Sequence, residues 1–434
     1  MNPRGSSPTI TAVRHSLESP QLASVLTQLA LGVAFSASLL RDLIGLPGLR
    51  GAVFALVVIA ALSLVARRRT LGWHGLLPLS ILIFVAWCAL SIAWSGYTVL
   101  SLVGVGAQLT WAFLAIYIAL VRDTIQILRA TGNVLRVLLG VSLGLEVLSG
   151  LLLDMPFRFL GIEGNIASLG PIQGIFGSRN ALGLIALVAA VTFSIELRSR
   201  SVTRNVGIAS LVLTGVMLLL TRSPVIVVVA LFVAIAALAL YWLRRTRVEI
   251  RWRLQLGLAG ATVVVGVIAL VARSRILALL NAGSEFEVRY TLWREMWRLT
   301  GLHPLEGWGW VGTWPQSVTP YGWLDFVTKH NQTSGLNAFI DVYLQVGLVG
   351  FILFLALVTL AFVRSWLLAS NKRPLVYVWP ALIVVILLVI STAESTVLTG
   401  FGWMLLVVCA VKAAQGMSWR TALARHPHQN HDHD

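Results

Sequence analysis

The sequence predicts an all-α protein that crosses a membrane many times, and its composition and hydropathy support that prediction. Of its 434 residues, 57% are hydrophobic and 12% are charged, and the mean hydropathy is +0.85. A soluble globular domain carries roughly 25% charged residues. These values exclude a water-soluble enzyme of ordinary build, a disordered chain and a secreted disulfide scaffold.

The hydropathy pattern places about twelve apolar runs along the chain, each close to the ~20 residues that span a bilayer. They cover 22–40, 51–66, 75–94, 99–121, 134–153, 180–196, 205–221, 224–243, 255–272, 337–363, 375–393 and 396–413. Lipid offers the backbone no hydrogen-bonding partner, so each run is predicted to form an α-helix.

The positions of arginine and lysine predict the orientation. If the N-terminus is cytoplasmic, the short inner loops and the two tails hold most of the cations, as the positive-inside rule requires. Both termini are then cytoplasmic. The net charge of +16 is assigned to contact with membrane lipids, and no nucleic-acid partner is expected. Arg136, near the cytoplasmic end of its run, is expected to extend towards the headgroups.

This layout predicts a single integral membrane domain over residues 1–434. Its parts are a cytoplasmic tail (1–21), spans one to nine (22–272), an extracytoplasmic loop (273–336), spans ten to twelve (337–413) and a second cytoplasmic tail (414–434).

The extracytoplasmic loop is the largest segment outside the predicted spans, and long loops in compact domains are usually functional. Residues 285–303 have helical periodicity, with an apolar face formed by Leu292, Trp293, Met296, Trp297 and Leu299. We therefore predict an amphipathic helix that lies on the outer membrane surface.

Tryptophan is concentrated in the same loop, at Trp293, Trp297, Trp308, Trp310, Trp314 and Trp323. One interpretation is a belt at the membrane interface, where tryptophan is enriched. The other is a set of aromatic platforms for the apolar faces of sugar rings. Trp293, on the predicted helix, is the candidate for substrate binding.

Three further motifs predict no site. The segment GWGWVG (307–312) fits the dinucleotide pattern G-x-G-x-x-G but lacks a strand–turn–helix context, so we predict a glycine–tryptophan turn at the interface. The histidine-rich C-terminus (HPHQNHDHD) is interpreted as a solvated tail. Cys88 and Cys409 lie inside apolar runs, which disfavours a disulfide or thiolate metal site. No metal or other cofactor is expected.

Two arginines are candidates for binding an anion. Arg222 lies between two apolar runs, and burying an arginine in a membrane costs at least ~2.5–3.5 kcal/mol. Arg289 lies near the start of the loop helix. Guanidinium groups bind phosphate oxygens bidentately, so two of them on the outer face would suit a membrane-bound diphosphate. For Arg222 the alternative is an ordinary interfacial arginine.

Proton transfer and acceptor binding have their own candidates. His330 precedes the tenth run, and an imidazole can accept a proton from a sugar hydroxyl at neutral pH, although a lone loop histidine is often only solvated. The acids inside or beside spans imply a buried partner or a polar cavity. They are Glu146, Asp341 and Glu394, with Asn337 and Gln345 on the same helical stripe as Asp341. Ion pairing with Arg222 or Arg289 is one interpretation of these acids and acceptor binding is the other.

Four stretches resemble the O-antigen ligase and O-antigen polymerase superfamily of bacterial membrane glycosyltransferases. In chain order they are GIFGSRNALGLIALVAA (174–190), LLLTRSPVIVVVA (218–230), EVRYTLWREMWRLTGLHPLEGWG (287–309) and LNAFIDVYLQVGLVG (336–350). The first stretch contains Arg179 and Asn180, which we assign to substrate binding. The second and third place Arg222 and Arg289 where the family has functional arginines.

The fourth stretch departs from the family at one position. The signature reads His-(Asn/Ser/Gln)-x9-Gly-x2-Gly, and Asn337, Gly347 and Gly350 fit it, but Leu336 stands at the histidine position. His330 replaces that histidine if the chain folds back before the helix. The alternatives are Asp341, Glu394 or no base at all.

The resemblance implies a C-type glycosyltransferase that works at the outer face of the bacterial plasma membrane. The donor would be a glycan on undecaprenyl diphosphate, and the acceptor a sugar hydroxyl on lipid or on another glycan, with neither metal nor nucleotide sugar. Ligase and polymerase are both open. Two other classes remain: a transporter of a small anion or lipid-linked glycan, and an inactive scaffold in envelope glycan assembly.

Overall fold

The computed structural model describes residues 14–68, 78–271, 283–329 and 331–417. Within these ranges the backbone forms helices, most of them joined by short connections, with longer ones between Val147 and Arg179 and between Thr300 and Tyr321. It contains no β-strand there, only a single bridge between Phe157 and Ile162. The all-α class predicted from hydropathy is confirmed.

Fourteen named helices occur in the described ranges and are numbered in chain order. They are α1 (Pro20–Phe35), α2 (Ala37–Arg67), α3 (Leu79–Leu90), α4 (Thr98–Val121), α5 (Thr124–Val147), α6 (Arg179–Arg198), α7 (Arg204–Thr221), α8 (Pro224–Arg245), α9 (Val248–Val271), α10 (Gly283–Thr300), α11 (Tyr321–Thr328), α12 (Ala338–Asn371), α13 (Val378–Ile390) and α14 (Gly400–Gly416).

Seven of these helices are long and apolar enough to cross a membrane: α2, α4, α5, α6, α7, α8 and α12. Four shorter apolar helices begin at Pro20, Leu79, Leu375 and Gly400. Each of the twelve runs expected from the sequence overlaps a helix in the described ranges. The chain is therefore a multi-pass membrane protein, while twelve crossings remain a prediction.

Local sequence signals set where several of these helices begin. The Ser19 hydroxyl accepts a hydrogen bond from the Leu22 amide (3.1 Å), and Pro20 takes the first helical position. Ser223 and Pro224 start α8 in the same way. A serine oxygen satisfies an amide that the first turn leaves unpaired, and proline has no such amide to satisfy.

The chain groups into two compact units, each assembled from separate stretches. Unit 1 comprises Met1–Pro78, Thr110–Thr221 and Ala410–Asp434, and unit 2 comprises Leu79–Leu109 and Arg222–Cys409. In unit 1, α6 packs against α5 and α7, and α1 packs against α2 and α5. In unit 2, α12 is central and packs against α3, α8, α10 and α13.

A buried ion pair joins three helices of unit 1. The guanidinium of Arg136 (α5) pairs with the fully buried carboxylate of Glu196 (α6), and its Nε donates to the Ser210 hydroxyl (α7) at 2.9 Å. The same guanidinium lies 4.8 Å from the ring centroid of Phe193. Arg136 thus points into the helix bundle, which differs from its expected extension towards the headgroups.

The central helix of unit 2 is broken. At Val346 and Gly347 the backbone leaves the helical region, and Gly347 has a φ of 66°. The amides of Leu348 and Val349 donate to Pro304 and Leu305 (2.9 and 3.4 Å) and not to the preceding turn of α12. The break divides α12 into an N-terminal segment, which begins at Ala338, and a longer C-terminal segment.

The loop 303–312 fills this break. Its Trp308 and Gly309 amides donate to the carbonyl oxygens of Leu344 and Gln345 at 3.1 and 2.7 Å. The Gln345 side-chain oxygen accepts from the next amides of the loop, those of Val311 and Gly312. Backbone groups that the helix leaves unpaired are thereby satisfied within the protein, as membrane depth requires.

The predicted glycine–tryptophan turn at GWGWVG exists, with positive φ at Gly307, Gly309 and Gly312. It lies inside unit 2 and not at a lipid interface, because Trp310 is fully buried against the ring of Phe84 at 5.9 Å between centroids. The expected location of this turn was therefore wrong.

The predicted loop helix is also present as α10. Its apolar residues Leu292, Met296 and Leu299 are buried in a cluster completed by Val311, Trp314, Tyr321, Leu324 and Leu344. This face of α10 is covered by the protein itself, which differs from the expected contact with the membrane surface. Trp297, 63% exposed, lies outside the cluster.

Candidate functional site

An arginine–glutamate pair lies at one end of unit 2. Arg289 on α10 is buried, and its Nη2 donates to Glu394 Oε1 at 3.0 Å. The Arg289 Nε is also buried and donates to no residue of the described ranges. One of the expected ion pairs is therefore present, and it leaves a guanidinium N–H unsatisfied.

Glu394 lies just beyond α13, at the end of unit 2 where α12 begins. Here the Asn337 side-chain amide donates to the Thr392 carbonyl (3.1 Å), and the Ala338 amide donates to the Ser391 carbonyl (2.8 Å). We call this the loop end of unit 2, because residues 331–337 lead into α12 here.

Arg222 belongs to the same end, as the packing of α8 shows. At the C-terminus of α8, Arg244 Nη1 donates to the carbonyl of Lys372 (2.9 Å), just after α12 ends. Helix α8 is about 33 Å long at ~1.5 Å per residue, and it packs along α12 and α13. Its N-terminus, and Arg222 two residues before Pro224, therefore lie towards the loop end. The Arg222 side chain is exposed and its backbone is left-handed (φ 44°).

Asn337 is the N-cap of α12. Its side-chain oxygen accepts from the amides of Phe339 and Ile340 at 3.0 and 3.2 Å. Leu336, at the family's histidine position, has a φ of 48° and packs against the α10 cluster. The signature asparagine thus shapes the helix start, and the residue before it joins an apolar core.

Asp341 is fully buried and has several hydrogen-bond donors. Its Oδ1 accepts from Trp314 Nε1 and from Gln345 Nε2, both at 2.8 Å, and its Oδ2 accepts from the Gly335 amide at 2.9 Å. The polar stripe on α12 therefore anchors to this helix the connection between α10 and α12, which we call the outer segment after its predicted location. No pattern in the sequence indicates the Trp314 partner, which lies 27 residues away in the chain.

Trp293 holds the same segment from α10. Its Nε1 donates to the Gly335 carbonyl at 2.9 Å, and its ring packs against the α10 cluster. Trp310 and Trp314 are buried, whereas Trp297 and Trp323 are exposed. Only the exposed pair among these five can present a ring face to lipid or sugar without rearrangement.

His330 lies outside the described residues. The residues beside it are fixed: Lys329 ends α11 in a left-handed conformation, and the Gln332 amide donates to Asp325 Oδ1 at 2.9 Å. The C-terminal histidines are likewise outside the described ranges.

Local contacts shift the pKa values of two groups in the outer segment. His303 Nδ1 and Glu306 Oε1 lie 3.0 Å apart, and this hydrogen bond lowers the pKa of the Glu306 carboxyl below its usual range. Burial raises the pKa of the Tyr321 hydroxyl, which accepts a hydrogen bond from the Tyr97 hydroxyl at 3.1 Å. Both contacts contribute to the packing around the loop that fills the α12 break.

Arg179 and Asn180 belong to unit 1, at the start of α6. The Ser178 hydroxyl caps this helix by accepting from the Ala181 amide at 3.1 Å. Arg179 lines a cavity of about 310 Å³ whose other walls include the buried Glu146. The sequence analysis singled out Arg179 and Glu146, but no pattern indicates that they share a cavity, because the connection between α5 and α6 is irregular.

Comparison with known proteins agrees with this picture over part of the chain. Residues 207–355 match the family model described as O-antigen ligase. The matched stretch includes Arg222, Arg289 and the broken α12 up to Leu355. A search of curated proteins found no match.

The match supports a glycosyltransferase-type enzyme that acts on lipid-linked glycans in surface polysaccharide synthesis. The match confirms the family resemblance read from the sequence over residues 207–355: this segment of the multi-pass membrane chain is similar to the O-antigen ligase family, and it contains three of the four stretches that resemble the O-antigen ligase and polymerase superfamily.

Proposed function

We propose that the protein transfers a glycan from an undecaprenyl diphosphate carrier to a sugar hydroxyl on a lipid or on another glycan. The reaction takes place at the outer face of the bacterial plasma membrane, with both termini in the cytoplasm. The lipid diphosphate is the leaving group, and neither a nucleotide sugar nor a metal takes part.

Arg289 provides the main support for this proposal. Its guanidinium is buried and retains an N–H with no acceptor in the described ranges, and a phosphate oxygen would satisfy that N–H. Glu394 fixes the orientation of the guanidinium through the 3.0 Å pair. Fixed cationic donors that meet charge as it develops on a leaving group are a large source of catalysis.

Arg222 is the second cation for the diphosphate. It lies towards the same end of unit 2 and is exposed. A left-handed non-glycine residue such as Arg222 (φ 44°) carries backbone strain, and strained residues cluster at functional sites.

His330 is the proposed general base for the acceptor hydroxyl, since Leu336 cannot accept a proton. The other candidate bases are less suited by their contacts: Asp341 is buried and accepts hydrogen bonds from Trp314, Gln345 and the Gly335 amide, and Glu394 is paired with Arg289. Asn337, Asp341 and Trp293 are proposed to shape the substrate site through the segment that carries Leu336. Arg179 and Asn180 are proposed to bind substrate from unit 1.

The experiment that tests the diphosphate site is transfer by purified protein with a labelled lipid-linked glycan and an acceptor glycan in detergent. We expect Arg222→Ala and Arg289→Ala each to lower the transfer rate at least roughly a hundredfold, as for loss of an oxyanion donor. Arg294→Ala is the matched control, because Arg294 lies on α10 and is exposed. Normal transfer by both variants would contradict the proposal, and glycan movement that requires sealed vesicles would indicate a transporter.

The same assay tests the base. His330→Ala should lower kcat and remove the acidic limb of the pH–rate profile, because the imidazole must be neutral to accept a proton. His303→Ala is the control, since His303 is the nearest histidine in the outer segment and pairs with Glu306. Full activity of the His330 variant would show that another residue, or none, serves as the base.

A further inference from the structure

The cavity in unit 1 has a polar lining built around the end of α5 and the start of α6. Its volume is about 310 Å³, near the lower limit of the ~300–1,000 Å³ typical of ligand pockets. Six of its eight lining residues are polar: Glu146, Glu163, Asn165, Gln173, Ser178 and Arg179. A lining of this kind suits a hydroxyl-rich ligand better than an apolar one.

Glu146 forms the buried wall of the cavity. Its residue is 1% exposed, and its Oε1 accepts from the Gly174 amide at 2.8 Å. It forms no ion pair with any residue in the described part of the chain. Its carboxyl group lines the cavity, so the hydroxyls of a ligand there could donate further hydrogen bonds to it.

Glu163 and Asn165 form the exposed wall. The Asn165 side-chain amide donates to Glu163 Oε2 at 2.7 Å, which orients that carboxylate. The carbonyl of Asn165 accepts from the Ser168 hydroxyl and from the Gly170 amide, both at 2.9 Å. The second carboxylate is thus held by a turn and not by a flexible side chain alone.

The charge of the lining narrows the ligand class. The lining contributes two carboxyl groups, those of Glu146 and Glu163, and a single guanidinium, that of Arg179. This balance disfavours a phosphate or a uronic acid. It favours neutral sugars, whose hydroxyls donate to carboxylates, and amino sugars, whose ammonium group is attracted to them.

The connection between α5 and α6, which carries most of the cavity lining, has exposed apolar side chains. It leaves α5 through a π-helical turn, Leu148–Leu152, and such turns are frequent at functional sites. At least half of the side chain is exposed at Leu151, Leu152, Leu153, Met155 and Phe159. In a membrane protein such a surface contacts lipid, so a ligand of this cavity can be presented on a lipid anchor.

We propose that the unit 1 cavity binds a neutral or amino-sugar unit of a glycan, with Glu146 and Glu163 as acceptors for its hydroxyls. The assignment of this sugar to a glycan substrate rests on the proposed function. The binding of a saccharide does not, because it follows from the lining alone.

The test is direct saccharide binding to the full chain in lipid nanodiscs, measured by saturation-transfer NMR without donor lipid. Glycoside detergents are kept out of the purification, because their heads have the same chemistry as the ligand, and dodecyl maltoside enters only later as an added probe. The probes are methyl glucoside, glucosamine and glucuronate, and we expect the first two to bind and glucuronate to bind at least tenfold more weakly. Tighter binding of dodecyl maltoside than of maltose would identify a lipid-borne glycan as the source, and equal binding a free one.

Two variants connect binding to the lining. Glu163→Gln and Glu146→Gln should each weaken saccharide binding roughly tenfold, as for loss of one hydrogen bond to a charged group. Asp154→Asn is the control, because Asp154 is exposed on the same connection and does not line the cavity. Glu163 is exposed, so its variant remains informative if Glu146→Gln fails to fold.

Absence of saccharide binding, or binding unchanged in Glu163→Gln, would overturn the cavity proposal while leaving glycan transfer at unit 2 intact. Saccharide binding without any transfer activity would instead sustain the cavity and contradict the proposed function.

Discussion

Three acids of the described ranges, Glu196, Asp341 and Glu394, are stabilised in different ways. Glu196 is paired with Arg136 across helices, whereas Asp341 is surrounded by neutral donors from Trp314, Gln345 and Gly335. Glu394 is paired with an arginine at the loop end. An isolated charge is costly in a low-dielectric interior, so each carboxylate depends on the partners that surround it. Only the last leaves a cationic N–H that a ligand can use.

We predict that Asp341 is required for folding. Asp341→Ala leaves its buried donors without an acceptor, and at ~1–3 kcal/mol for each unsatisfied group the loss amounts to about 3 kcal/mol or more. The thermal unfolding midpoint of the purified variant should therefore fall clearly. Glu287→Ala, at an exposed position of α10, should leave the midpoint unchanged. A variant at Asp341 that unfolds normally but loses transfer would instead assign Asp341 to substrate binding.

For single residues, the sequence predicted which side chains are important better than it predicted their hydrogen-bond and ion-pair partners. It named Glu394, at the end of a predicted span, and Arg289, on the predicted loop helix, and offered their pairing as one interpretation. It gave no sign of the Asp341–Trp314 contact or of the Glu163–Asn165 wall, since side chains on irregular connections meet through backbone turns that periodicity does not encode.

Helices were predicted well as elements, because a 20-residue apolar run in a membrane has few other options. The break in α12 was not predicted, although its sequence sign, Gly347 and Gly350, was noted as part of the family signature. A methyl group on Gly347 would lie 2.1 Å from the Leu305 carbonyl oxygen, and one on Gly350 would lie 2.3 Å from the Val346 side chain. The signature glycines are therefore explained by the close approach of the inserted loop and by packing beside the break.

Gly347→Ala tests the inserted loop. The positive φ alone costs an alanine about 1–2 kcal/mol, and the contact with Leu305 would push the loop out of the break. We expect the variant to lose monodisperse protein in fluorescence-detected size-exclusion chromatography. Gly106→Ala on α4 is the control, since a methyl group there meets nothing within 4 Å. Equal recovery of the two variants would show that the loop does not depend on Gly347.

The tryptophan-rich segment shows where periodicity falls short. Its 3.6-residue pattern correctly predicted α10 and the buried positions Leu292, Met296 and Leu299, but it wrongly placed the exposed Trp297 on the same face. The pattern does not show whether protein or lipid packs against the apolar face of α10, because both are apolar. The cluster built by Trp314, Tyr321 and Leu324 supplies the protein cover, and these residues come from a part of the loop without a clear pattern.

For the whole molecule, the orientation remains a prediction from charge, and the chain is well suited to testing it. Cys88 and Cys409 are both fully buried, so a single introduced cysteine should label with little background. Ser317→Cys lies in the outer segment at an exposed site and should react with a membrane-impermeant maleimide in intact cells. Arg247→Cys, exposed between α8 and α9, should react only after permeabilisation. The reverse labelling pattern would place Arg222 and Arg289 on the cytosolic side and contradict the proposed mechanism.

The insertion of residues 303–312 into α12 makes these two stretches a single module for evolution and engineering. Neither can be swapped for its counterpart in a relative without the other, because each supplies hydrogen-bonding partners to the main chain of the other. A chimaera that exchanges 303–350 together should assemble, whereas one cut between them would leave orphaned amides inside a lipid environment.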